Sequence, residues 1–190
     1  MKICYLSNSA IPSTVASSIQ IVKMCEAFSE LKNEVLLITT NVKKKEVSTI
    51  KYYNIKNKFN IKRLKGFTNF PLGINYYLFS IFSIIESLKF KPDIYITRNF
   101  FTCFLLILCR KKTIIELHHD LDTESRIVQF LVKYFRFLNS KHLKKAVAIT
   151  DGVKYEFLKK KYINKKKILV LPSGSSLKYI RNSSKFKNYF

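Results

Sequence analysis

Residues 2–40 read KICYLSNSAIPSTVASSIQIVKMCEAFSELKNEVLLITT, and their hydrophobic spacing changes period twice. Ile3 to Leu6 is a short apolar run of strand length. From Ser17 to Leu31, the residues Ile21, Met24, Cys25, Phe28 and Leu31 recur at three- and four-residue intervals, which puts them on one face of a helix. Val35 to Thr39 returns to a short β-branched run. Strand, helix and strand within forty residues form a βαβ unit, and its two strands are expected to lie parallel.

The same alternation continues along the chain. Further strands are predicted at Ile61 to Leu64, Asp93 to Thr97 (DIYIT), Thr113 to Leu117 (TIIEL), Ala146 to Ile149 (AVAI) and Ile168 to Leu171 (ILVL). A long helix is predicted from Ile74 to Lys89, where Ser80, Ser83 and Ser87, joined by Glu86, form a polar stripe on an otherwise apolar cylinder. Short β-branched runs separated by helices predict an α/β fold, a Rossmann-like parallel sheet with helices on both faces. In such sheets ligands bind beyond the carboxyl ends of the strands. That rule selects Ser7 to Ser18, Arg98 and Asn99, His118 to Asp122, Thr150 and Asp151, and Pro172 to Ser176.

The chemistry of these places differs. The loop SNSAIPSTVASS has no glycine, so backbone cannot approach a pyrophosphate as a dinucleotide fingerprint requires. It offers hydroxyls instead, with Ser17 or Ser18 expected as N-cap of the first helix and free N–H groups behind it for an anion or a sugar hydroxyl. His118 and His119 sit on extended backbone and point to opposite sides, which argues against a shared metal. Arg98 can clamp a phosphate with its planar fork or pair with Asp93, Glu116 or Asp120. Thr150 and Asp151 are expected to cap a helix, and Glu124 to belong to the start of another. No nucleophile elbow, P-loop or zinc-protease motif occurs, and the acidic residues are too scattered for a paired-carboxylate site.

Composition narrows the class further. The chain has 190 residues, 47% hydrophobic and 14% aromatic, with a net charge of +23. It is long enough to bury a core and too apolar to be disordered. Cys4, Cys25, Cys103 and Cys109 lie in apolar segments with no metal-ligand spacing, and read as buried thiols of a reducing compartment. The N-terminal apolar run is shorter than a signal-peptide core, so a cytoplasmic location is expected. The excess of lysine has three readings, in this order: compositional bias of the source genome, attraction to an anionic membrane surface, and, last, nucleic acid, for which no module is visible. Lys43 to Lys65 carries nine basic residues against one acidic. It is a solvated loop or a patch for an anionic membrane or a phosphate-bearing acceptor.

Several stretches in order resemble one family. ASSIQIVKMCEAFSELKNEVLLIT, KPDIYITR, TIIELHHD and AVAITDGVKYEFLKKKY followed by KILVLPSGSS are similar to the N-terminal domain of family 4 glycosyltransferases of the GT-B fold. The resemblance implies a domain spanning residues 1–174, with 175–190 beginning an interdomain linker and the donor-binding domain absent. It implies transfer of a sugar from a nucleotide-sugar donor to a glycan or lipid-linked acceptor when a donor-binding half is paired with it. It implies retention at the anomeric carbon and little activity of the chain alone. Position by position, His118 matches the histidine that faces the donor sugar, and the loop from Asn8 through Ser13, Ser17 and Ser18 matches the one near the donor phosphates and acceptor. Arg98, His119 and Thr150 are the remaining candidates for substrate binding. No cofactor beyond the donor substrate and no metal is expected. Partners would be the acceptor, a separate donor-binding subunit, and a membrane touched peripherally through Lys43 to Lys65. The loop lacks the family's two glycines, Gln20 stands where His is frequent, and Ser175-Ser176 replaces Val-Asp. The competing reading is a non-catalytic Rossmann-like module bound to a membrane or a protein through its basic surface.

Overall fold

A computed structural model of the chain describes residues 1–40, 49–56, 58–64 and 72–172. The opening unit comprises β1 (Lys2–Ala10), α1 (Ala16–Glu30) and β2 (Glu34–Thr40). A single turn, α2 (Thr49–Tyr52), leads to β3 (Asn60–Leu64) and then to the long α3 (Leu72–Leu88). Beyond it come β4 (Ile94–Thr97), α4 (Phe100–Leu108), β5 (Thr113–Leu117) and α5 (Arg126–Phe135). The described chain ends with β6 (Leu143–Ala148), α6 (Asp151–Lys159) and β7 (Ile168–Val170). All seven strands join one sheet in the order β3-β2-β1-β4-β5-β6-β7, and every pairing is parallel. The Rossmann-like α/β expectation therefore holds. Residues 43–48, 57 and 65 of the basic stretch and all of 175–190 lie outside the described residues, as do Ser173 and Gly174 at the hinge expected by resemblance.

Strand alternation divides the core between two sides. Ile3 and Tyr5 of β1 pack with Ile21, Val22 and Cys25 of α1, while Cys4 and Leu6 turn the other way, toward Ile84 of α3 and Leu106 of α4. On that second side α5 and α6 continue the layer, burying Val128, Val132 and Phe157 against Ile115, Leu117, Ala146 and Ala148. Helices cover both faces, but unevenly: α1 lies on one, α3 to α6 on the other. Over the β4 to β7 half of the α1 face, Ile114, Val147, Ile149 and Leu171 line an open cavity of about 660 Å³ beside Met24 and Phe28.

The helix α3 turns a stripe of small hydroxyl residues inward beside Phe79 and Ile84. Its serine stripe is the buried side: Ser80, Ser83 and Ser87 are wholly inaccessible, whereas Ile81, Phe82, Ile85 and Leu88 are 42–55% exposed. The hydroxyls are satisfied within the protein. Ser80 donates to the Tyr76 carbonyl at 2.8 Å, Ser83 to that of Ser80 at 3.1 Å and Ser87 to that of Ile84 at 2.6 Å. Ser80 also accepts from Thr102 Oγ1 at 2.9 Å and Asn99 Nδ2 at 3.3 Å, tying α3 to α4. Small side chains allow the two backbones to approach closely, and back-bonding meets their polar requirement.

Two local expectations are corrected. Leu31, assigned to the core face of the first helix, is its exposed C-cap at 74% accessibility. Cys109 is exposed, unlike the buried Cys4, Cys25 and Cys103, because it follows the last residue of α4 and leaves the packed face. No helix among the described residues is long and apolar enough to cross a membrane.

The orientation of α3 predicts unequal costs. Ser83→Leu forces bulk into a closed interface and should cost about 1–3 kcal/mol in urea unfolding. The outward Ile85→Ser should stay within about 0.5 kcal/mol of the parent. Equal losses for the two would contradict the assigned orientation.

Candidate functional site

Parallel strands aim their carboxyl ends at one edge of the sheet, and four side chains converge there from β1, β4 and β5. Arg98, one residue past β4, donates through Nε to Glu116 Oε2 at 2.8 Å and to Tyr5 Oη at 3.0 Å. His118, one residue past β5, places Nε2 3.2 Å from the same carboxylate oxygen. Arg98 Nη1 lies 3.4 Å from the Ser17 carbonyl, so the cluster also holds the first turn of α1. Of the partners open to Arg98 in the sequence, Glu116 is the one it takes.

Burial makes this ion pair a demanding arrangement. The side chain of Glu116 is 5% accessible and that of Arg98 14%. Burial alone would push the Glu116 carboxyl up. The hydrogen bond from His118, the charge of Arg98, and the hydrogen bonds from Tyr5 and Arg98 outweigh it and hold the group below the usual carboxylate range. Tyr5, fully enclosed beside this anion, is raised well above an ordinary phenol, first by burial and then by the Glu116 charge. Glu116 Oε1 and Arg98 Nη2 are buried and have no hydrogen-bond partner among the described residues. Glu116 itself lines the 660 Å³ cavity, with Gln20, Lys23 and Lys56 nearby on its wall. The site thus sets a buried carboxylate beneath a cleft whose floor is largely apolar and whose wall carries both acidic and basic side chains, Lys23 being paired with Glu26 at 2.7 Å.

His119 points elsewhere, as adjacent residues on extended chain must. Its Nε2 lies 2.8 Å from Glu124 Oε1, and that hydrogen bond raises the imidazole above its ordinary value despite partial burial. Glu124 precedes the helix start and binds this histidine; the cap of α5 is Ser125, whose Oγ accepts from Val128 N at 3.3 Å. Thr150 does cap α6, accepting from Val153 N at 3.2 Å.

The serine-rich stretch departs most from its sequence reading. β1 continues through Ser7 to Ala10, with a register irregularity between Leu6 and Ala10, so Asn8 is an exposed strand residue whose carbonyl accepts from Thr40 Oγ1 at 3.2 Å. Ser13 is clamped by Tyr53, whose hydroxyl accepts from Ser13 N at 2.6 Å and donates to Ser13 O at 2.7 Å. The N-cap of α1 is Val15, which makes no side-chain cap, and neither Ser17 nor Ser18 fills that role. Ser18 is buried and donates to the Ala10 carbonyl at 3.1 Å. The helix begins earlier than the serines suggest because Ser18 and Ile19 N–H groups already close on the Val15 carbonyl.

The structure therefore gathers Arg98, His118 and the backbone of Ser17, and leaves His119 and Thr150 with separate partners. Two residues were missed as site members, Tyr5 and Glu116. An acid in the middle of the apolar run TIIEL, one strand away from an arginine at the end of DIYIT, was the available signal. Tyr5 carried none, since a tyrosine in ICYL reads as core.

No protein-family model matches the sequence, and no curated protein matches it. Solved structures do. A glycosyltransferase from Rickettsia africae ESF-5 is 17% identical with a TM-score of 0.59, over 97% of this chain and 49% of its own. UDP-GlcNAc 2-epimerase from Neisseria meningitidis, bound to UDP-GlcNAc, is 13% identical with a TM-score of 0.62, over 98% and 52%. The lipopolysaccharide outer core galactosyltransferase WaaB is 18% identical with a TM-score of 0.59, over 93% and 46%. At these identities the likeness is one of fold, a GT-B-like Rossmann architecture. The chain spans about half the length of the structures it matches.

Removing one partner of the buried pair should be severe. Arg98→Met is expected to cost about 3–5 kcal/mol by stranding Glu116, and Arg98→Met with Glu116→Leu should recover most of it; chemical denaturation reads both. Glu116 is held below its ordinary value, so its stabilisation is complete above about pH 4.3 and is lost as pH falls through the lower folded value. Acid unfolding of Glu116→Gln should lack that component. His119 has the opposite sign. Its small contribution, half exposed as it is, is present below about pH 6.5 and fades as pH rises through the raised folded value, so His119→Asn should match the parent at alkaline pH.

Proposed function

We propose that this chain is the acceptor-side half of a glycosyltransferase of the family 4, GT-B type. In this reading it works with a donor-binding half to move a sugar from a nucleotide-sugar to a glycan or lipid-linked acceptor. The observation that carries the reading is the Tyr5–Arg98–Glu116–His118 cluster at the carboxyl edge of a parallel sheet, where α/β folds bind ligands. The fold shared with sugar-handling enzymes supports it.

The cluster has a definite chemical use. In the tautomer that donates Nε2–H to Glu116 Oε2, 3.2 Å away, Nδ1 of His118 is the nitrogen left for a substrate. A sugar hydroxyl placed against Nδ1 would be held in one orientation because Arg98 fixes Glu116, and Glu116 fixes the imidazole. Asn8, Ser13, Ser17 and Ser18 would contribute to the acceptor side mainly through backbone shape, since the hydroxyls of Ser13 and Ser18 already have backbone partners. Stabilisation of the leaving diphosphate would fall to the donor-binding half, because no glycine-lined phosphate cradle stands among the described residues of this one. Retention of anomeric configuration, a cytoplasmic site of action and independence from metal belong to the same proposal.

The test is NMR titration of the isotopically labelled chain. Oligosaccharide acceptors are expected to shift His118 and the start of α1 with weak affinity, while nucleotide-sugars alone leave them unmoved. In the complete enzyme His118→Ala should lower kcat about 10²-fold or more with the fold intact. Micromolar binding and turnover of a nucleotide-sugar by this chain alone would overturn the division of labour, and silence of His118 toward every sugar would overturn the site.

A further inference from the structure

We propose that the outer side of the α3–α5 layer seats on an anionic lipid surface. The argument is independent of whether a sugar is transferred. It begins with α3, which buries Ser80, Ser83 and Ser87 beside Phe79 and Ile84 and leaves Ile81, Phe82, Ile85 and Leu88 at 42–55% exposure on its outward side. In water that orientation leaves four large apolar side chains of one helix in contact with solvent, a patch that marks an interaction surface. Small hydroxyl residues facing the protein and large apolar ones facing out is the arrangement expected of a helix whose outer neighbour is itself apolar.

A second helix of the same layer repeats the pattern. Along α5, Val128 and Val132 fill the core, yet Phe130 and Tyr134 are 56% and 72% exposed on the other side. Their rings stack on each other, with centroids 5.2 Å apart and planes 10° from parallel. The N-terminal ends of α3 and α5 are joined by a hydrogen bond between Tyr77 Oη and Ser125 Oγ at 3.1 Å, and both helices cover the same face of the sheet. Arg126 and Lys133 on α5 are exposed beside the aromatic pair. Aromatic and aliphatic side chains interleaved with basic ones, on a helix lying flat against its own domain, match the composition of interfacial membrane helices.

Charge decides which occupant covers the face. With a net charge of +23, a second copy of the chain is repelled and an anionic headgroup layer is attracted. No helix among the described residues is a candidate span, so the contact is one of lying on the surface, with side chains entering the headgroup region. The contact assigned here is built from α3 and α5, and differs from the basic stretch between Lys43 and Lys65 that composition alone nominates.

Vesicle co-sedimentation of the full chain tests this, with phosphatidylcholine vesicles and with phosphatidylcholine–phosphatidylglycerol vesicles as the two arms. Binding is expected to the anionic vesicles and at least about tenfold weaker to the neutral ones. Phe82→Ser with Phe130→Ser, whose fold is checked by circular dichroism, should lower binding about tenfold or more, because both rings are outward. Arg126→Glu with Lys133→Glu should weaken it to a similar degree and reduce its salt dependence. No sedimentation with either vesicle, equal binding to both, or parent-like binding by the aromatic double variant overturns the proposal. So does lipid-free self-association abolished by those aromatic substitutions, which would make the face an interface between copies. Binding to double-stranded DNA in place of vesicles would do the same.

Discussion

An all-parallel sheet satisfies its interior strands' backbone hydrogen bonds within itself and presents two apolar faces, so each face must be covered if the strands are to remain associated in water. Everything else in this chain follows from how that requirement is met. On one face α3 to α6 form a continuous layer. On the other, α1 covers the first strands, and the β4 to β7 half borders the 660 Å³ cavity. The cleft exists because of this asymmetry, and Glu116 stands at its floor because β5 is the strand beside which cover gives way to open space.

The buried charges depend on the same arrangement. A carboxylate enclosed to 5% accessibility is tolerable only beside a fixed cation, and Arg98 supplies one from the adjacent strand at 2.8 Å. Because β1 lies next to β4 and β4 next to β5, residues 5, 98, 116 and 118 meet although they are far apart in the chain. The ion pair thereby couples the carboxyl edge of the sheet to the first turn of α1 through the Ser17 carbonyl. A group so heavily constrained holds the imidazole of His118 in a fixed pose.

The surface layer shows the reverse economy. Serines are held inside beside Phe79 and Ile84, where α3 approaches α4 and β1, and Ile81, Phe82, Ile85 and Leu88 are left partly exposed. The inward serines are explained by close backbone approach and by hydroxyls that bond back to their own helix. One helix thus meets the core through three small residues together with Phe79 and Ile84, and keeps four large apolar side chains at the surface.

Seven strands and their parallel sense were legible in the sequence because period and length are local properties: DIYIT, TIIEL and ILVL announce themselves within five residues. The Thr150 cap was legible for the same reason, since the cap bond spans three residues. The face on which the serines of α3 would lie was not, because a helix with two dissimilar sides does not state which one meets the sheet. Nor was the loss of capping by Ser17 and Ser18, which follows from β1 running on to Ala10 and starting α1 at Ala16. The partner of Arg98 could be named only as one of three acids until strand order set β5 beside β4. Sequence by itself determined the elements, through short-range hydrophobic periodicity and turn chemistry. The tertiary structure alone decided which charges meet, which helix side is buried and where the cleft opens, because these are long-range consequences of how the sheet is stacked and covered.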